Sequence, residues 1–95
     1  MSEVIYKYSL EEDSVLRFNQ ELETISGEII HVGLDPLGVS CIWIQGNPLH
    51  PTTTRELYIF GTGWPMNQSH RYYHRGSWTA GELMWHLYEA KGPKP

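Results

Sequence analysis

A lone cysteine, Cys41, is all the chain offers for thiol chemistry. It excludes an internal disulfide and fits a reducing compartment. No apolar run approaches the roughly 20 residues that a membrane-spanning helix needs. The opening MSEVIYKY has neither the basic stretch nor the apolar one of a signal peptide. A soluble, cytoplasmic protein is therefore expected. Basic residues are scarce too, with seven Lys and Arg against eleven Asp and Glu. At a net charge of −4, general nucleic-acid binding is not expected. Nor does any window of about ten or more residues keep a helical stripe of apolar side chains.

Large apolar side chains are plentiful. Hydrophobic residues make up 40% of the chain and aromatic ones 13%, which supports a packed core and argues against disorder. A chain of 95 residues suffices for one domain, placed at residues 1–90, with a flexible Pro/Gly/Lys tail at 91–95. So small an interior cannot hide every ring. Trp64, Tyr72, Trp78 and Tyr88 therefore point to a homo-oligomer or a tight partner contact. Charge is uneven as well. Residues 1–35 carry eight acids against Lys7 and Arg17, whereas Arg55, Arg71, Arg75, Lys91 and Lys94 give the second part a basic excess.

Alternation with period 2 dominates. It predicts strands over Val4–Ser9, Val15–Asn19, Glu28–Leu34, Val39–Gln45, Arg55–Phe60, His70–Trp78 and Glu82–Glu89. Asp35-Pro36-Leu37-Gly38 is a strong turn signal. Glu21–Gly27 is open between a short helical turn and a bend. The fold class expected is all-β, a small antiparallel sandwich or barrel of six to seven short strands. Ile30, Val32, Ile42, Ile44, Leu57, Ile59, Leu83 and Leu87 form the expected core.

Four features occur in order: Ile5-Tyr6-Lys7-Tyr8, Trp43 in an apolar strand, Phe60-Gly61-Thr62-Gly63 with Pro65, and His86-Leu87-Tyr88-Glu89. Together the sequence resembles a family of small phage and prophage proteins without a settled activity. The resemblance spans roughly residues 4–89 and implies a β-rich fold and a viral or mobile-element origin, hence a place in the host cytoplasm. It supplies no catalytic residues. Trp64, and the His/Arg/Tyr run at 70–75, depart from that pattern.

Most chemistry-bearing residue types here have a plain reading. Gly61-Thr62-Gly63 lacks the following helix of a phosphate loop, so its glycines are expected to serve a tight turn. On a strand, His70 and His74 lie roughly 13 Å apart, too far for one metal ion. Cys41 sits in an apolar run and is expected to be a buried, inert thiol. No metal, cofactor or catalytic group is expected, and the protein is not expected to be an enzyme. HRYYHR, residues 70–75, stands out. As a regular strand it would put Arg71, Tyr73 and Arg75 on one face and His70, Tyr72 and His74 on the other. With Trp64, these residues are the expected binding set, since two guanidinium forks beside a ring suit anionic groups. The expected function is a counter-defence inhibitor that binds a bacterial host defence protein or complex, such as a CRISPR effector. Two alternatives are a sponge for a nucleotide immune signal and a minor virion or assembly protein.

Overall fold

Every described element is a strand, as alternating branched and aromatic residues dictate. The computed structural model describes residues 2–66 and 68–93. In chain order the strands are β1 (Val4–Ser9), β2 (Glu11–Glu12), β3 (Val15–Leu16), β4 (Asn19–Thr24), β5 (Gly27–Leu34), β6 (Ser40–Gly46), β7 (Thr53–Gly61), β8 (His70–Ala80) and β9 (Leu83–Pro93). Seven of them have six residues or more. β2 and β3 form a tiny ribbon closed by Asp13 and Ser14, both at positive φ, the backbone a two-residue hairpin turn requires. None of the described residues forms a helix long and apolar enough to cross a membrane.

Two antiparallel sheets pack face to face, ordered β1-β6-β5 and β4-β7-β9-β8. Between them lie Leu10, Ile25, Val32, Ile42, Ile44, Leu57, Ile59, Trp78, Trp85 and Leu87. The sheets approach most closely where β5 meets β8. A Cβ on Gly76 would stand 2.4 Å from Val32 Cγ1, so only a glycine fits there. Asp35 closes the β5–β6 turn by accepting from the amides of Leu37 and Val39, and Lys7 reaches it across the first sheet at 2.8 Å.

Several expectations are corrected. Glu21–Gly27 holds no helical turn, and the bend is confined to Ser26, between a strand that runs to Thr24 and the next from Gly27. Residues 19–24 are an edge strand whose mostly polar sequence hides its alternation, with Leu22 packed against the core and Thr24 buried. Ile30 is 44% exposed, because a bulge between Ile29 and His31 turns Ile29 inward in its place. Leu83 has inward parity but lies at the strand's end beyond the core, and is 57% exposed. Trp78, expected at the surface, is core, and its indole N–H donates to Ser40 Oγ at 2.9 Å. β9 runs to Pro93, so the strand includes residues 91–93, and 94–95 lie outside the described residues.

Candidate functional site

Among the described residues no second layer covers the outer face of the four-stranded sheet, yet it is built from large rings. Alternation along β7 turns Leu57 and Ile59 inward and Tyr58 and Phe60 outward. On β9 the same rule buries Trp85, Leu87 and Glu89 and leaves His86 and Tyr88 outside. β8 contributes His70, Tyr72 and His74 beside them. The rings interlock edge to face: Phe60 lies 5.6 Å from Tyr72 and 5.9 Å from Tyr88, and Tyr58 lies 5.4 Å from Tyr72. His74 adds to Tyr88 at 5.2 Å. Such contacts fix a rigid platform at little cost in side-chain entropy. Met66 sits at its edge and bounds two shallow grooves, of about 420 and 230 Å³, each also bounded by Tyr88.

An acidic strip borders the rings. Glu21 on β4 faces Glu56 on β7 directly across the ladder, an arrangement that costs stability. Tyr58 donates to Glu56 at 2.7 Å, and that bond pushes the phenol up to about 12. Glu23 accepts from Thr52 and Thr54, which draws its carboxyl below the ordinary range. The Tyr72 hydroxyl is buried with no partner among the described residues, and burial, then the charge of Glu56, raises its pKa. Along the far side runs a chain of shared hydrogen bonds. His86 meets Thr62 Oγ1 at 2.8 Å and Ser77 Oγ at 2.7 Å, and Ser77 meets His74 at 3.0 Å.

Of the seven residues expected to bind, His70, Arg71, Tyr72 and Tyr73 line the larger groove together, whereas His74 and Arg75 line the seam and Trp64 the smaller groove. A bulge at Arg75 inserts one extra residue between His74 and Gly76, while His70 and Tyr72 remain outward with His74. Beyond the bulge the parity flips, which is what carries Trp78 into the core. Arg75 lies on the seam side, its guanidinium 5.8 Å over the Tyr73 ring and its Nε donating to Glu89 at 3.0 Å. Glu89 also accepts from Arg55, which donates further to Thr24 and to the carbonyl of Gly27. Arg75 is therefore tied to a buried carboxylate through its Nε. Arg71 is exposed at the rim of the platform, with no ion pair or hydrogen bond among the described residues.

Trp64, on the turn after β7, lines the smaller groove with Phe60 and Tyr88. It packs on Phe18 at 5.2 Å and Trp85 at 5.3 Å. Gly61 lies beneath its indole, where a Cβ would come within 2.9 Å, and Gly63 has φ 86°. Those glycines therefore serve close packing and a tight turn. Sequence reasoning missed Tyr58, Phe60, Tyr88 and His86 as partners of the 70–74 run. Their outward parity was legible, but not the strand order that sets β9 between β7 and β8.

A family model described as a domain of unknown function (DUF7352) matches residues 1–95. No curated protein and no solved structure matches the chain.

Proposed function

The chain belongs to the DUF7352 family of uncharacterised domains, and we propose that it is a non-enzymatic, phage-type inhibitor that covers a basic surface of a bacterial defence protein or complex. The observation that carries this reading is the open sheet face, with interlocked rings of Tyr58, Phe60, Tyr72 and Tyr88 bordered by Glu21, Glu23 and Glu56. Rigid aromatic side chains supply large contact area for little ordering entropy, and Tyr is enriched in interface hot spots. The facing carboxylates Glu21 and Glu56 weaken the free domain, and a cationic partner would relieve their repulsion. A nucleic-acid-binding channel offers such a surface, and an acidic strip beside stacked rings presents charge and π-faces in its place.

The experiment is affinity capture from bacterial host lysate on the immobilised protein, with retained proteins and small molecules both identified. The reading expects one basic protein or complex, retained at low salt and released as ionic strength rises. The double variant Glu21→Gln with Glu56→Gln should lose it while staying folded. Retention of the same partner by that variant would contradict the reading. Release of a nucleotide on denaturation, with no protein retained, would favour a sponge.

A further inference from the structure

Beside the platform, with which it shares His74, the two sheets part into a cleft of about 400 Å³ between the start of β5, the start of β7, the Arg75 bulge in β8 and the end of β9. Its walls include Arg55, Arg75, Lys91, His74 and Glu28. We infer that this cleft binds the phosphate group of a small molecule, through the free end of the Arg75 guanidinium and the Lys91 ammonium.

The argument begins with charge. Arg55 and Glu89 are both deeply buried, at 8% and 7% side-chain exposure, and Arg75 is partly buried at 30%. Both guanidiniums donate to the same oxygen, Glu89 Oε1, at 3.0 Å each. Two cations on one carboxylate leave a positive charge in excess in a poorly solvated corner, which is costly unless an anion completes it. Lys91 adds a third cation, with no partner among the described residues. Among the described residues of the wall Glu28 is the one opposing charge, and it makes no ion pair with them.

Geometry then selects the ligand. Arg55 has its Nε, NH1 and NH2 committed to Thr24, Glu89 and the Gly27 carbonyl, so it is a fixed brace. Arg75 uses only Nε, and its two terminal nitrogens make no hydrogen bond among the described residues. Glu89 on one side and the Tyr73 ring on the other fix the plane of that guanidinium. A held fork with free donors matches two oxygens of a phosphate, and Lys91 supplies a point charge for a third. The cleft volume lies in the range of small-ligand sites. The proposed ligand contacts, Arg75 and Lys91, are not platform rings, so either reading can fail without the other.

The test is isothermal titration of the whole protein at low salt with inorganic phosphate, a nucleoside monophosphate and the unphosphorylated nucleoside. The expected result is one site for both phosphate ligands and none for the nucleoside. Tighter binding of the monophosphate identifies a nucleotide as the source, and equal affinity identifies free phosphate. Lys91→Ala alters an exposed side chain, so it should fold normally and weaken phosphate binding about tenfold, as loss of a charged hydrogen bond does. Glu28→Gln should strengthen binding, because it removes the one repulsive charge. A merely structural cluster would respond to neither substitution. The inference is overturned if millimolar phosphate and monophosphate give no saturable heat. It is equally overturned if both variants bind them as the wild type does.

Discussion

Arg71 and Arg75 sit four residues apart on one strand and answer to different physics. Arg75 donates to a buried carboxylate, whereas Arg71 is exposed and unpaired among the described residues. Arg75→Ala leaves Glu89 with Arg55 as its remaining partner and should cost about 1–3 kcal/mol, the usual penalty for an under-satisfied buried polar group. Arg71→Ala should stay within about 0.5 kcal/mol, as exposed substitutions do. Urea unfolding of the two variants gives both numbers. In the core, Ile44 is fully buried, and Ile44→Ala should cost about 2–5 kcal/mol by the same measurement. Asp35 supplies a prediction in pH. The Lys7 ammonium, then the Val39 amide, hold its carboxyl at about 2, against an ordinary 3.8. A carboxyl lowered in the folded state releases its proton more readily there than in the unfolded chain. Its contribution is therefore present above about 3.8 and is lost as the pH falls toward about 2. Asp35→Asn should flatten the acid limb of a stability–pH curve across that window, and an unchanged limb would count against the Lys7–Asp35 contact.

At the scale of the strand, bulges decide which residues meet. Gly76 follows the Arg75 bulge at φ 150° and admits no side chain against Val32. Gly76→Ala should cost about 1–3 kcal/mol from overpacking and strain. Val32→Ala in the same chain should recover part of that loss, so a double-mutant cycle on this pair should be non-additive. Strict additivity would mean that β5 and β8 do not touch there. Bulges also mark where reading the sequence succeeds and where it stops. Alternation located six of the seven long strands because Val, Ile, Leu and the rings repeat at every second residue, and it identified Val32, Ile42, Ile44, Leu57, Ile59 and Leu87 as core, but the strand expected over Val15–Asn19 is only the two-residue β3, with β4 starting at Asn19. It misplaced Ile30 and Trp78 because one inserted residue reverses parity, and no residue type announces the insertion before the partner strand is known. β4 escaped for a different reason, since an edge strand buries little and needs few apolar residues. The candidate site was half legible. His70, Tyr72 and His74 were found on one face, but their neighbours come from strands whose order is not written locally.

Across the whole molecule, an aromatic face with an acidic strip and a cationic seam lie side by side, with Arg71 at the rim of the first and His74 shared by both. The outer face of the second sheet carries interlocked aromatics beside Glu21, Glu23 and Glu56, while the seam carries Arg55, Arg75 and Lys91. The acidic strip has a cost in the free domain. Glu21→Gln should raise stability by about 0.2–1 kcal/mol, because it removes a like-charge pair facing across a ladder. A gain in stability coupled to a loss of partner binding is the pattern expected of a surface shaped for contact. The claim that this face is the contact surface is tested most directly by hydroxyl-radical footprinting of the protein alone and with the partner recovered from host lysate. The account predicts that Met66, Tyr72 and Tyr88 are oxidised in the free chain and protected in the complex, with Trp43 on the other sheet equally reactive in both. Protection of Trp43, with Met66, Tyr72 and Tyr88 oxidised as readily as in the free chain, would contradict it.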